Sequence, residues 1–462
     1  MRKMLLYSAL LIAFQSHAQI SFIDSTTTWE QLSKAAKKDK KLLFIHLWGT
    51  GCEQCNEVAN QGFKSPGLQK IFQDNFIAIS ADITSENGKK LAEKFQIRAP
   101  FVSLFADPEG NLLNRYNGTT NNAGTYLENA KLAIQRKSGK QLSDYEKEYQ
   151  KGQRSIVFLK EFIRKRREVN LPSGDLLDEY VGKLPVDSLA DLQVIRFIFQ
   201  QGPTLDSRAY KLIQAISGSG KGNKRLVDSL YKSIPYQEAV AINRAIIANS
   251  MQKAVQTKDI NLASQTAYFT QQTYSPDFNS GRLYYHRGLI NFYYTIKDTT
   301  SYFRESNLFI TNTHLRMTVD SLKRIDEAAF EKSRERQMPM GPGGPRQAIQ
   351  FAPPSQHFHM ELNEHAWHFY QLNNKTRDLE QALMWSKKSM EWYEDLRRDK
   401  NYMPLGNPAY IDTYAHLLYK LNRKSEAIEW QTKAVEAQKV TGQSWVSMEK
   451  DLEKMKAGTL QW

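Results

Sequence analysis

The chain has 462 residues, of which 41% are hydrophobic and 24% are charged. This composition is typical of a globular protein with more than one domain, and it excludes a disordered or fibrous chain. The formal net charge of +14 raises the question of nucleic acid or anionic lipid. Basic residues are spread among acidic ones, so we interpret the charge as solvated surface and expect no nucleic-acid partner.

The first 18 residues have the pattern of a secretory signal peptide. Arg2 and Lys3 precede an apolar run over residues 4–14, and Ser16-His17-Ala18 has the small-x-small pattern of a cleavage site. No later stretch reaches the roughly 18 apolar residues of a membrane helix. We therefore expect export with no membrane span, and a periplasmic location if the source is a Gram-negative bacterium.

Residues 19–137 alternate between strand and helix signals. An apolar run over 42–48 predicts a strand buried on both faces. Further strands are predicted over 20–23, 76–82, 101–105 and 112–116, with helices after the first three and at the end of the segment. This order predicts an α/β domain with a mixed sheet and helices on both faces.

The chain contains 2 Cys, and both follow the predicted central strand as Cys52-Glu53-Gln54-Cys55. Such a pair can be redox-active, can form a structural disulfide, or can bind a metal. A disulfide over so short a loop removes little entropy from the unfolded chain. Zinc normally takes four ligands, and His46 with one cysteine pair does not supply them. We therefore favour a redox pair and expect neither a metal nor a cofactor.

Residues 19–137 resemble the exported thioredoxin-like proteins. Trp48 precedes the first cysteine by four residues, Ile97-Arg98-Ala99-Pro100 resembles the segment before the family's third long strand, and residues 107–110 resemble its hairpin turn. The resemblance implies that Cys52 attacks a substrate disulfide and that Cys55 resolves the mixed disulfide. It also implies that Pro100 is a cis-proline beside the pair and that Trp48 packs next to it.

Three positions depart from that family. Gly51 stands where a tryptophan usually precedes the first cysteine, and Pro100 follows Ile97 by three residues, where the family has four. His46 occupies the position of a buried acid. Either His46 accepts the proton of Cys55 in the resolving step, or it is a buried histidine held by a backbone partner in the sheet.

The remainder of the chain has helical periodicity. We predict a helical array over 138–336, a Pro/Gly-rich loop over 337–355, and repeats that resemble tetratricopeptide repeats over 356–462. Residues 364–372 align with 413–421, and 380–389 with 426–434, which places alanines at matching positions. Such arrays bind peptides or proteins.

These observations favour an exported thiol–disulfide oxidoreductase that uses Cys52 and Cys55 on protein disulfides, with the helical array recruiting a protein or peptide partner. Two alternatives stay open. One is a non-catalytic interaction protein whose thioredoxin-like domain only binds, and the other is a metal-handling protein that uses the cysteines with His46.

Overall fold

The computed structural model describes residues 19–49, 53–97, 100–218, 224–335, 353–397 and 403–461. The chain divides into two compact units, one that ends at Ser250 and one that begins at Met251. The first unit contains a mixed sheet with flanking helices followed by further helices, and the second unit is helical in all its described elements. This confirms the predicted class, an α/β domain followed by an all-α region. The boundaries predicted at 137, 336 and 355 stay predictions.

A five-stranded sheet forms the centre of the N-terminal region. Its strands are β1 (Phe22–Ile23), β2 (Leu42–Trp48), β3 (Phe76–Asp82), β4 (Val102–Ala106) and β5 (Leu112–Asn117). The spatial order is β1-β3-β2-β4-β5. β3 is parallel to both β1 and β2, whereas β4 is antiparallel to β2 and to β5. β2 therefore lies in the middle of the sheet, which explains why its sequence is apolar along both faces.

Five helices belong to the sheet domain. They are α1 (Trp29–Asp39), α2 (Glu53–Gly62), α3 (Pro66–Asn75), α4 (Glu86–Lys94) and α5 (Ala123–Arg136). α1 begins with a capping box, in which the Gln31 N–H donates to Thr28 and the Thr28 N–H donates to the Gln31 side chain. α4 begins at Glu86, because Ser85 caps it by accepting from the Gly88 N–H.

Aromatic side chains form the core on the face of the sheet that α2, α3 and α5 cover. The Phe44 ring on β2 is fully buried and lies 4.8 Å from Phe72, 5.0 Å from Phe105 and 6.1 Å from Phe63, measured between ring centroids. Each such buried side chain contributes roughly 1.5–3 kcal/mol to the free energy of unfolding. This core fixes α2 against β2, and Cys55 lies in the first turn of α2.

Seven helices follow the sheet domain in the residues that the structure describes up to 257. They are α6 (Leu142–Gln150), α7 (Ile156–Glu168), α8 (Gly174–Lys183), α9 (Leu192–Gln200), α10 (Arg208–Gly218), α11 (Lys224–Ser233) and α12 (Tyr236–Thr257). The chain breaks between α6 and α7, where Gly152 has φ +94°. Glycine adopts this left-handed conformation without the steric cost that other residues meet.

Nine further helices complete the described chain. They are α13 (Ile260–Thr273), α14 (Phe278–Thr295), α15 (Thr299–Asn312), α16 (Val319–Glu335), α17 (Ser355–Leu372), α18 (Thr376–Leu396), α19 (Pro408–Lys420), α20 (Lys424–Val440) and α21 (Val446–Ala457). α17 packs against α18, and α19 packs against α20, as antiparallel neighbours joined by short loops. Within the described ranges, every helix is too short or too polar to span a bilayer.

Candidate functional site

The candidate site lies where β2 ends and α2 begins. β2 ends at Trp48, Gly49 follows, and α2 starts at Glu53. The parallel pairing of β2 with β3 and the crossover through helices place this turn at the carboxyl end of a central strand. That position is where α/β sheets of this kind bind ligands.

Cys55 lies in the first turn of α2, is partly buried, and is disulfide-bonded. Cys52 and the side chains of Glu53 and Gln54 lie outside the described residues. The first turn of a helix favours negative charge, because its backbone N–H groups lack intrahelical acceptors. A thiolate there is accordingly stabilised, as thiol–disulfide exchange requires.

His46 is buried in the centre of the sheet, with only 2% of its surface exposed. It lies opposite Ser103 on β4 and Ser80 on β3. Its Nδ1 is 3.1 Å from Ser103 Oγ, and its ring meets the edge of Phe63 at 5.1 Å. Because Phe63 directly follows α2, His46 lies beneath the helix that carries Cys55. Burial lowers the pKa of His46 to about 4, so the ring is neutral at pH 7.

The hydrogen-bond partner of His46 differs from the one expected. The sequence left open a backbone partner within the sheet, and the structure supplies the Ser103 hydroxyl instead. Ser103 was missed because its relation to His46 depends on the register of β2 against β4, and a single sequence carries no direct signal for that register.

Trp48 is the last residue of β2 and is partly buried. It lies opposite Asp82 in the β2–β3 register, and its carbonyl accepts from the Ile83 N–H at 2.8 Å. These backbone contacts fix where the strand ends. The predicted packing of the Trp48 ring beside the cysteines stays a prediction.

Pro100 packs against Gly49, and Gly49 precedes Cys52 by three residues in the sequence. A Cβ atom on Gly49 would lie 2.9 Å from Pro100 Cβ and 3.2 Å from Pro100 Cγ, so Gly49 permits a contact that any side chain would obstruct. The structure therefore brings Pro100 next to Gly49, and its place beside the cysteine pair stays a prediction. Ala99 lies outside the described residues, so the cis geometry of the Ala99–Pro100 bond stays a prediction.

A second contact closes the same turn from the other side. The Asn56 amide, one residue after Cys55, donates to the Gly49 carbonyl at 3.1 Å. The sequence alone assigned no role to Gly49 or Asn56. An amide side chain directly after the second cysteine was the available signal.

The residue after Pro100 has a strained backbone. Phe101 has φ +64°, a conformation that is uncommon for a bulky side chain. Two hydrogen bonds of 2.7 Å hold it there, from its N–H to the Leu47 carbonyl and from the Gly118 N–H to its own carbonyl. Strain of this kind costs about 1–3 kcal/mol and is often found at functional sites.

No group of three or more histidine, cysteine or acidic side chains is placed to hold a metal ion in the part of the chain that the structure describes. In particular, the His46 ring is engaged with Ser103 inside the sheet.

A thioredoxin-like family model matches residues 24–108. The match includes the β2–α2 turn, both cysteines and Pro100, and it ends in the turn after β4. None of the curated proteins compared with the chain matches it. The family match thus identifies a thioredoxin-like domain over residues 24–108.

Proposed function

We propose that the chain is an exported thiol–disulfide oxidoreductase that acts on protein disulfides through Cys52 and Cys55. One observation carries the proposal: Cys55 is disulfide-bonded in the first turn of α2, next to a turn that Pro100 and Asn56 close. A pair used only as a structural staple would not need this position, since a two-residue loop constrains the unfolded chain little.

In the reducing direction, the Cys52 thiolate attacks one sulfur of a substrate disulfide. The substrate S–S bond breaks, one substrate sulfur leaves as a thiolate, and a mixed disulfide forms. Cys55 then attacks the Cys52 sulfur and releases the second substrate sulfur. The substrate gains two electrons, and the cysteine pair loses two as its own disulfide forms. The oxidising direction is the reverse of these steps.

The proton of Cys55 must leave before the second attack, and His46 is a poor acceptor for it. An ordinary thiol has a pKa near 8.5, so transfer to a ring with a pKa of about 4 would cost roughly 6 kcal/mol. The substrate thiolate released in the first step has a thiol's basicity and can take this proton. We therefore assign His46 a positioning role beneath α2, as a neutral ring.

The helical region would supply partner recruitment. The residues aligned between the two predicted repeats have matching environments: Ala366 and Ala415 are fully buried, and so are Ala382 and Ala427. Small residues at such positions let paired helices approach closely. This supports repeats that resemble tetratricopeptide repeats, with a protein or peptide as the partner.

The test is a redox titration of the full chain after removal of residues 1–18. The pair is equilibrated in glutathione buffers, the thiols are trapped by alkylation, and reduction of a disulfide-containing protein is assayed in parallel. We expect one two-electron transition and measurable turnover, both abolished in Cys52→Ser, whereas Cys55→Ser should accumulate a mixed disulfide.

The control for folding is Ser188→Ala, which lies far from the cysteines in sequence, and it should leave the titration unchanged. A pair that titrates without any disulfide reduction, in a protein whose partner binding survives Cys52→Ser, would overturn the enzyme in favour of an interaction protein. Metal that copurifies with the chain and is lost in Cys52→Ser would instead favour the metal-handling alternative.

A further inference from the structure

A polar cavity of about 160 Å³ lies within the second unit, between α14, α15 and α17. Tyr302 and His365 line its inner part and are buried, with 1% and 6% of their surfaces exposed. Tyr294 and Glu364 also line it, and both side chains reach solvent. The cavity, called here the α14–α17 cavity, is thus open at one end and is large enough for a small ligand group.

The inner part offers one hydrogen-bond donor and one acceptor. The Tyr302 hydroxyl lies 2.9 Å from His365 Nδ1 and 2.8 Å from His368 Nδ1. Tyrosine has a single O–H proton, so it donates to one ring and accepts from the other. The first ring then carries its proton on Nε2, and the second has a bare Nε2. Neither Nε2 has a hydrogen-bond partner in the protein within the described ranges.

Among the described residues that line the cavity, the one cation is already paired. Arg287 on α14 makes a bidentate ion pair with Glu361 on α17, at 2.5 Å and 3.1 Å. Glu361 also lies 2.9 Å from His314 Nε2. The charges of Arg287 and Glu361 therefore cancel, and a negatively charged ligand would find this guanidinium engaged.

Glu364 is the carboxylate of the lining that lacks an ion-pair partner among the described residues. Burial, and then repulsion from Glu361, raise the pKa of its carboxyl, whereas a nearby cation would lower it. Burial lowers the pKa of His365 to about 3 and that of His368 to about 4, so both rings are neutral at pH 7. An ionised Glu364 therefore gives the lining one negative charge with no cation paired to it among the described residues.

An aromatic surface stands beside this charge. Tyr294 stacks on His368 with a centroid distance of 4.2 Å and an interplanar angle of 16°, and 40% of Tyr294 stays exposed. The faces of aromatic rings attract ammonium and guanidinium groups. A carboxylate and an aromatic face at one opening are together complementary to an ammonium or guanidinium group.

We propose that the α14–α17 cavity binds an organic cation, an ammonium or guanidinium group, with Glu364 as its ion-pair partner and Tyr294 as its stacking surface. The bare imidazole Nε2 in the inner part accepts one of its N–H groups. The group can belong to a free amine or to a lysine or arginine side chain of a peptide. The inference stands on the second unit alone and holds whether or not the cysteine pair is catalytic.

The test is a binding titration of the full chain, by calorimetry or by ligand-observed NMR. The probes are N-acetyl-arginine methylamide and N-acetyl-lysine methylamide, each compared with a near-isosteric neutral analogue, the citrulline and norleucine derivatives. We expect the cationic probes to bind at least about tenfold more tightly than the neutral ones, because only the cationic probes can form a charge-assisted hydrogen bond with Glu364. Methylguanidinium tests the free cation, and tighter binding of the blocked amino acids would identify a peptide side chain as the guest.

Glu364→Gln keeps the shape of the side chain and should reduce the affinity for the cationic probes at least about tenfold. The matched control is Glu436→Gln on α20, an exposed carboxylate outside the cavity, which should bind as the unchanged chain does. Tyr294→Leu, which leaves the carboxylate in place, should weaken binding about threefold or more. The proposal is overturned if the citrulline derivative binds as tightly as the arginine derivative, or if both Glu364→Gln and Tyr294→Leu leave the affinity unchanged.

Discussion

At the scale of single residues, the absent side chain of Gly49 decides whether Pro100 can reach the β2–α2 turn. In Gly49→Ala, the new Cβ would lie 2.9 Å from Pro100 Cβ, closer than carbon atoms pack, so the turn or the proline must move. We expect a loss of about 1–3 kcal/mol in the free energy of unfolding and a decrease of about tenfold or more in the rate of disulfide exchange. Urea unfolding and a disulfide-reduction assay measure the two effects.

The matched control is Gly174→Ala at the start of α8, where a Cβ meets no other atom within 4 Å. It should leave both quantities nearly unchanged. Equal exchange rates in Gly49→Ala and the unchanged chain would show that the contact with Pro100 does not shape the site.

Ser103 is the residue that satisfies the buried His46 ring. Ser103→Ala removes the partner of His46 Nδ1 and leaves a buried polar atom without a hydrogen bond, which costs about 1–3 kcal/mol. Ser80→Ala is a close control, because Ser80 lies opposite His46 on the other side of β2 and makes no side-chain hydrogen bond among the described residues. Urea unfolding should show the loss for Ser103→Ala alone, and equal losses in the two variants would contradict this assignment.

At the scale of elements, the position of α2 in the sheet domain depends on Gly62, the last residue of the helix. A Cβ on Gly62 would lie 2.2 Å from the Thr120 carbonyl oxygen and 2.7 Å from Tyr126 Cε2, and a backbone oxygen cannot move aside as a flexible side chain can. Gly62→Ala should therefore shift α2 and destabilise the first unit by about 2–4 kcal/mol. In Gly67→Ala on α3, nothing lies within 4 Å of the new Cβ, so alanine should stabilise the helix by about 0.5–1 kcal/mol. We expect thermal unfolding to show a lower Tm for Gly62→Ala and a higher Tm for Gly67→Ala than for the unchanged chain.

A partly buried ion pair joins two helices of the second unit. Glu361 on α17 accepts from Arg287 on α14 and from His314; burial alone would raise the pKa of Glu361, but these hydrogen bonds outweigh it and bring the pKa to about 2. Glu361→Gln leaves Arg287 without its counter-charge and should cost about 1–3 kcal/mol in the free energy of unfolding. Glu391→Gln breaks an exposed pair with Lys388 and should cost about 0–1 kcal/mol. Similar urea midpoints for these two variants would show that the Arg287–Glu361 pair does not stabilise the protein more than an exposed pair does.

The elements that local sequence rules govern could be predicted. The apolar run of β2, the capping box at Thr28 and the break at Gly152 each follow from a few neighbouring residues. The bond of His46 to Ser103 and the pair of Arg287 with Glu361 join residues 57 and 74 positions apart. Such contacts depend on strand register and helix packing, for which one sequence has no local signal.

At the scale of the whole molecule, buried neutral histidines predict acid lability. Burial lowers the pKa from the ordinary 6.5 to about 4 in His46, His359 and His368 and to about 3 in His365. Once unfolded, each ring takes up a proton below about pH 6.5, so the unfolded state binds more protons as the pH falls. Stability is therefore full above pH 6.5 and is lost between pH 6.5 and about 4. For His46 alone, this corresponds to roughly 3 kcal/mol.

Urea unfolding at half-unit pH steps measures this loss. His46→Asn should lower stability at pH 7 but flatten its decline toward pH 4, whereas His357→Asn, at an exposed position, should leave the slope unchanged. An unchanged slope in His46→Asn would contradict a neutral buried ring.

The sequence predicted the location of the candidate site better than its surroundings. The cysteine spacing, Trp48 and Pro100 pointed to the turn after β2, and the structure places Cys55 and Pro100 there. Gly49 and Asn56 emerged only from the folded turn, because their roles are contacts and not residue types. The α14–α17 cavity had no sequence signal at all, since its lining comes from three helices whose spacing is set by packing.

The central position of β2 has a consequence for the time scale on which the site's backbone opens. β2 has hydrogen-bonded neighbours on both sides and is buried along six of its seven residues. Amides in such a strand exchange with deuterium only when the surrounding structure opens as a whole. Deuterium uptake over residues 42–48 should therefore be among the slowest in the first unit and should report its global stability. A change of redox state that alters deuterium exchange in α2 should leave the exchange rate of β2 unchanged, so β2 can serve as an internal reference.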